Sequence, residues 1–175
     1  MVDILDMAVY TGCSLLSKGL SVSPLKLQKI LYYEQAWYMV FFGRENTLFA
    51  DKPQAWVNGP VYPVVFNKYK SMVKGMCDHL SESDFCGNED INDVFCRIKA
   101  KMGLNAEEVE CLESVISMYG AKSQNHLIFL THSELPWSEK REGLMPYDKS
   151  TAEISLDTMF NYYSERYRRN HPDKM

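Results

Sequence analysis

One stretch, residues 55–63 with the sequence AWVNGPVYP, constrains the fold of this chain more than any other part of it. Its aromatic and β-branched side chains favour an extended segment, and we predict a short strand over residues 55–57. Gly59 permits a positive φ and Pro60 fixes its own φ, so the chain is predicted to turn sharply there. Pro63 suits the first turn of a helix, and we predict that a helix begins at that residue.

Helical periodicity covers most of the remaining chain. Ser23 followed by Pro24 has the pattern of an N-cap and a first helical residue, and Gly43 is suited to end that helix, which we expect to be the central one. Residues 81–93 are rich in Asp and Glu around a Gly-Asn pair and are predicted to form an exposed acidic turn. The other predicted helices cover residues 3–18 (ended by Gly19), 94–102, 106–119 (ended by Gly120), a short segment capped by Ser123, and 156–168.

These elements predict a mainly α (α+β) fold, a compact helical domain of about six to seven helices with a small two- or three-stranded β element. We expect the strand at Trp56 to pair with an extended piece around residues 152–154. The chain has 175 residues and carries no internal repeat or linker. Residues 1–175 are therefore predicted to form a single domain.

Composition and charge narrow the classes of function. The formal net charge is −4 and the pI is about 5.6, which gives no overall attraction to phosphate, so nucleic acid is not expected as a partner. The longest apolar run, residues 36–42, is far shorter than the roughly 20 residues of a membrane helix, so no membrane association is expected. An acidic residue near the N-terminus and an odd number of scattered cysteines predict a cytoplasmic protein with reduced thiols.

No residue pattern here is typical of a catalytic centre, and the chain is predicted not to be an enzyme. His132 lies at a predicted helix C-terminus, just before an expected turn at residues 134–137, where the helix dipole favours a structural imidazole. The alternative is a small hydrolase that uses His132 with Glu134 or with a cysteine such as Cys13.

Metal and cofactor sites are likewise not expected. The residues Cys77, His79, Cys86 and Cys96 could supply zinc ligands, but their spacing is irregular and contains no Cys-x-x-Cys pair. No glycine-rich phosphate loop is present. Several basic residues lie near aromatic ones and are interpreted as solvated helix faces, namely Lys26, Lys29, Arg166, Arg168, Arg169 and Lys174.

Aromatic residues make up 13% of the chain, more than a small helical core needs. Some are therefore expected at the surface. Exposed aromatic side chains dominate the energetics of many protein interfaces, so this surplus is consistent with a protein partner. Taken singly, each of Trp37, Trp56 and Trp137 is interpreted as a core anchor.

Three motifs together resemble one known family. They are residues 24–29 (PLKLQK), residues 55–63 and residues 130–137 (LTHSELPW). Their order and approximate spacing are similar to those of the Panacea antitoxin domain family, whose SocA-like members include phage-associated proteins. The resemblance implies a mainly helical antitoxin of a toxin–antitoxin system, which neutralises a co-encoded toxin by direct protein–protein binding.

The resemblance also implies which residues form the scaffold or bind the partner. They are Lys26, Gln28, Tyr32, Trp56, Asn58, Gly59, Pro60, His132, Pro136 and Trp137. The implied partner is a cognate toxin, joined by a cellular protease if the chain acts as a proteolytic adaptor. The sequence leaves open which of these mechanisms operates, the oligomeric state, and a bacterial or prophage origin. A repressor role is not expected, because no helix-turn-helix with a basic face is found.

Overall fold

The computed structural model describes residues 1–75 and 78–172. Cys77 and Lys174, both considered above, lie outside the described residues. A 3-10 helix lies at Glu139–Arg141. The other elements, in chain order, are α1 (Ile4–Ser17), α2 (Pro24–Phe42), β1 (Gln54–Trp56), β2 (Gly59–Val61), α3 (Pro63–Tyr69), α4 (Glu82–Cys86), α5 (Ile91–Met102), α6 (Ala106–Gly120), α7 (Gln124–His132), α8 (Leu135–Ser138) and α9 (Leu156–Asn170).

Helix α2 is the centre of the fold, as predicted. Ser23 caps it by accepting a hydrogen bond from the Lys26 backbone N–H, and Pro24 is its first residue. Nearly every side chain from Pro24 to Met39 is buried, because helices α1, α3, α6, α7 and α9 and strand β2 all pack around it. Gly43 ends the helix with a positive φ of 105°. The mainly α architecture with a small β element is confirmed.

The β element is an antiparallel hairpin of β1 and β2, in which Gln54 pairs with Val61 and Trp56 with Gly59. The predicted pairing with the segment at residues 152–154 is also confirmed. The Ala55 backbone N–H donates to the Ala152 carbonyl at 2.9 Å, and a bridge joins Gln54 to Glu153. The turn itself falls at residues 57–58, immediately before the predicted position at Gly59 and Pro60, so that Gly59 already belongs to β2.

Three local predictions need correction. Residues 81–93 are not one exposed turn, since they contain α4, whose Phe85 is buried, and the start of α5 at Ile91. Residues 134–137 include the short helix α8 rather than only a turn. Gly120 does not follow α6 but is its last residue, where a side chain would meet Leu15. These predictions were wrong because they used local sequence signals, whereas packing against elements distant in the chain determines the structure of these segments.

Most of the tyrosine content fills the core. The fully buried tyrosines are Tyr10, Tyr32, Tyr33, Tyr62, Tyr69, Tyr119 and Tyr163. Tyr33 stacks on Tyr119 with ring centroids 3.9 Å apart, and the Trp37 indole donates a hydrogen bond to the Tyr119 hydroxyl at 3.1 Å. Exposed aromatic residues also occur, as expected, at Phe41, Phe129 and Tyr147.

Candidate functional site

The first motif holds the second through two side chains of α2. Gln28 accepts a hydrogen bond from the Tyr62 backbone N–H at 2.7 Å, and its amide donates to the Tyr62 carbonyl at 3.4 Å. One residue on, the Lys29 ammonium donates to the Pro60 carbonyl at 3.0 Å. Residues 24–29 therefore fix the backbone of the hairpin at the point where it leads into α3.

Gly59 lies where no side chain fits. Its φ is 96°, a backbone conformation that residues other than glycine rarely adopt. An added Cβ would lie 2.5 Å from Lys29 Cε and 2.8 Å from Thr131 Oγ1, both of which belong to buried residues. The glycine thus lets α2, the hairpin and α7 approach one another closely.

The third motif closes over the other side of the hairpin. The Trp137 indole N–H donates to the Trp56 carbonyl at 2.9 Å. The His132 ring stacks on the Trp137 ring with centroids 3.9 Å apart and an angle of 7° between the planes. This hydrogen bond joins Trp137 to Trp56, which lies 81 positions earlier in the chain. Together with the contacts from α2, it connects the three motifs into one unit.

Arg141 is a component of this unit that the sequence analysis missed. Its buried guanidinium donates to the Ala55 carbonyl at 3.1 Å and to the Asp148 carbonyl at 2.8 Å, and it lies 5.2 Å from the Trp137 ring. It also donates to the carbonyls of Met145 and Pro146. Arg141 therefore fixes the loop that connects α8 to the segment at residues 152–154. All four acceptors are backbone carbonyls, so no sequence motif marked it.

Electrostatics favour a neutral His132. Burial lowers the pKa of the imidazole, and the nearby positive charges of Lys29 and Arg141 lower it further. Burial also lowers the pKa of Lys29 to about 7. Among the described residues, the buried Nε2 atom of His132 has no hydrogen-bond partner. In this environment the ring serves as a flat packing surface for Trp137.

The residues of the hydrolase alternative are occupied by other contacts. Glu134 is buried and accepts hydrogen bonds from the Tyr33 hydroxyl at 3.1 Å, the Tyr163 hydroxyl at 2.6 Å and the Arg166 guanidinium at 2.7 Å. Arg166 is thus an ion-pair partner rather than a free basic residue. Burial raises the pKa of Glu134 despite these partners. The carboxylate joins α8 to α2 and α9, and none of these bonds orients His132.

Cys13, the proposed nucleophile, is buried in α1 with its sulfur 3.6 Å from that of Cys86. Burial, together with the contact to Cys86, raises its pKa to about 12, so the thiol stays protonated at neutral pH. Over residues 1–75 and 78–172, the structure contains no group of three or more His, Cys, Asp or Glu placed to hold a metal ion. In the same ranges, no helix is long and apolar enough to cross a membrane.

The remaining motif residues lie mostly inside the protein. Lys26 is buried and donates to the Ser21 carbonyl at 2.8 Å, while Tyr32, Pro60 and Pro136 are also buried. Trp56, His132 and Trp137 are half-buried, and Asn58 at the hairpin turn is exposed, as are Ser133 and Leu135 of the third motif. The motifs therefore contribute far more buried contacts than exposed surface.

An apolar cleft lies beside the hairpin, with a volume of about 400 Å³. Leu25, Val61 and Phe66 contribute to its walls, and Asn58 and Lys149 to its polar lining. Phe66 packs edge-on against Trp56 with ring centroids 4.8 Å apart, and both rings line the cleft. We refer to this site as the hairpin cleft.

These features describe a helical domain built around a clamped β-hairpin. A family model described as "Antitoxin SocA-like, Panacea domain" matches residues 27–138, a range that includes the hairpin and its contacts with α2, α7 and α8. Because the match covers well over half of the chain, the protein belongs to this family. A search of curated proteins and a search of solved structures gave no significant match.

Proposed function

We propose that the protein is the antitoxin of a toxin–antitoxin system and that it neutralises a co-encoded toxin in the cytoplasm by direct protein–protein binding. The observation that carries the proposal is the family match over residues 27–138. Family membership supports an antitoxin in general, and the identity of the toxin is left to experiment.

We assign the motif residues to the scaffold rather than to toxin recognition. This assignment is supported by their burial and by their bonds to one another, above all those of Gln28 and Trp137. Buried residues of this kind fix the backbone, while side chains at the surface choose the partner. Of the ten residues that the family resemblance singles out, Asn58 is exposed and so is free to contact a partner directly.

We also propose that residues 1–175 act as a single domain. The segments on either side of the matched range support this, since α1 packs on α2, α5 and α6 and α9 packs on α2 and α8. Glu134 inside the match is bonded to Tyr163 and Arg166 outside it. A truncated chain limited to residues 27–138 would leave these buried groups without partners.

Two modes of neutralisation are compatible with direct binding. The antitoxin either covers the active surface of the toxin or carries the toxin to a cellular protease as an adaptor. Both require a complex, and they differ in whether the toxin survives in the cell. Co-expression separates them.

The test induces the adjacent reading frame in a bacterial host, with and without this protein, and measures growth and the amount of each protein. A frame-shifted copy of the antitoxin gene is the control. Restored growth with a stable complex supports occlusion, whereas restored growth with loss of the toxin supports the adaptor route. A neighbour that inhibits growth and is not relieved, or a neighbour that is harmless alone, contradicts the proposal.

A further inference from the structure

A second depression lies between the C-terminal end of α2 and helix α6. The hairpin contacts come from the other end of α2, at Gln28 and Lys29. The depression has a volume of about 330 Å³ and is distinct in its lining from the hairpin cleft. Its lining residues are Phe41, Phe42, Glu107, Glu110, Cys111 and Ser114. We call it the acidic groove.

The apolar part of the acidic groove is exposed but held in place. The Phe41 side chain is 51% exposed, although it packs edge-on against Tyr167 with centroids 5.3 Å apart and lies 6.2 Å from Trp37. Met118, one turn beyond Ser114 on α6, is 57% exposed. Rigid, exposed apolar side chains of this kind are typical of sites that a partner covers.

The charge on the groove is unbalanced. Glu107 and Glu110 are exposed, and in the described parts of the chain neither carboxylate forms an ion pair. Two other glutamates of α6 are already bonded within the protein. Glu108 accepts from the Tyr38 hydroxyl and caps the helix, and Glu113 binds Lys18. The two carboxylates of α6 that line the groove are thus the ones left for a partner.

The spacing of the lining residues on α6 sets the shape of the partner. Positions 107, 110, 111 and 114 follow the helical pattern i, i+3, i+4 and i+7 and so share one face. At a rise of 1.5 Å per residue this face is about 10 Å long, or two helical turns. A helix laid beside it would present apolar residues at the same spacing.

We propose that the acidic groove is the docking site for a cationic amphipathic helix of the toxin, an inference that rests on the proposed function. The apolar face of that helix packs on Phe41 and Phe42, and its Lys or Arg side chains pair with Glu107 and Glu110. The hairpin cleft is the competing surface, but its lining offers one charged side chain, Lys149, and no carboxylate. Charge complementarity therefore favours the acidic groove for a basic partner.

The first experiment measures binding of the toxin, produced from the adjacent reading frame, to the purified full-length antitoxin. The Glu107→Lys/Glu110→Lys variant is compared with the Glu142→Lys/Glu165→Lys variant, which changes the net charge equally at two exposed positions outside the groove. We expect the groove variant to lower the association rate about 10-fold and to reduce the salt dependence of binding, with the control variant close to wild type. Equal effects of the two variants would overturn the inference.

A second variant tests the apolar contact. Phe41→Ser is expected to raise the dissociation rate about 10-fold with little change in the association rate, since it removes an apolar side chain that the toxin covers rather than a charge. Lys149→Glu in the hairpin cleft is the comparison. If Lys149→Glu weakens toxin binding and the groove variants do not, the docking site lies at the hairpin cleft and the inference is wrong.

A synthetic probe tests the groove without the toxin. An 18-residue peptide of Leu and Lys, arranged as an amphipathic helix, is titrated by fluorescence anisotropy against a scrambled peptide of the same composition. We expect the amphipathic peptide to bind wild type at least about 10-fold more tightly than the scrambled one and to lose that preference in Glu107→Lys/Glu110→Lys. No preference in wild type contradicts the inference, whereas failure of the natural neighbour alone contradicts the proposed function.

Discussion

Replacing Gly59 by alanine tests the central contact of the three motifs. The substitution places a Cβ on a residue with a φ of 96°, which costs about 1–2 kcal/mol for the backbone conformation. The Cβ also overlaps Lys29 and Thr131. Lys29 is fully buried and bonded to the Pro60 carbonyl, so it cannot move into solvent without breaking that bond, and overpacking of this kind costs about 1–3 kcal/mol.

The summed loss is about 2–5 kcal/mol, a large share of the roughly 5–15 kcal/mol that stabilises a domain. Urea unfolding followed by circular dichroism measures it, with the midpoint expected to fall at an unchanged slope. Gly103→Ala is the matched control, because Gly103 also has a positive φ, 63°, but nothing lies within 4 Å of its added Cβ. If Gly59→Ala loses no more stability than Gly103→Ala, the close approach of α2, the hairpin and α7 is refuted.

Three further predictions concern the core. Burial raises the pKa of Glu34 to about 8 from an ordinary value of 4.5, so the stability that its neutral form confers is present below about pH 4.5 and is lost as pH rises through 8. Glu34→Gln should remove that decline, which has a slope of at most about 1.4 kcal/mol per pH unit, in unfolding measured from pH 4.5 to 8. Trp137→Phe should cost about 1–3 kcal/mol in urea unfolding, since it leaves the Trp56 carbonyl without its donor, and an unchanged midpoint would contradict this contact. Gly120→Ala should lower the melting temperature despite the better helix propensity of alanine, because the Cβ would lie 2.7 Å from Leu15; a rise would show that the helices can separate there.

Sequence patterns predicted the elements whose signals are local. Ser23 and Pro24 mark the start of α2 and Gly43 its end, and all three do so through backbone preferences that act within one turn. The pairing of the strand at Trp56 with the segment around Ile154 was also predicted, and the Ile154 backbone N–H donates to the Pro53 carbonyl at 2.8 Å. The family resemblance supplied the three motifs that the structure joins.

What the sequence could not predict depends on contacts between distant residues. Lys29 was expected to be an ordinary surface base, and Arg141 was overlooked. Both are buried: Lys29 donates to a backbone carbonyl 31 residues away, and Arg141 donates to one 86 residues away. Helix α4 was hidden in an acidic segment because its existence depends on Phe85 reaching α1 at Gly12. A backbone carbonyl or a bare glycine carries no residue-type signal, so such partners can be located only in the folded chain.

Direct binding of a toxin is measured by calorimetric titration of the purified protein with the purified product of the adjacent reading frame. We expect a saturable complex with a dissociation constant below about 1 μM, which co-elutes in size-exclusion chromatography. Both occlusion and proteolytic delivery require that complex. Absence of binding with both proteins folded and at concentrations on the order of 10 μM would contradict neutralisation by direct binding.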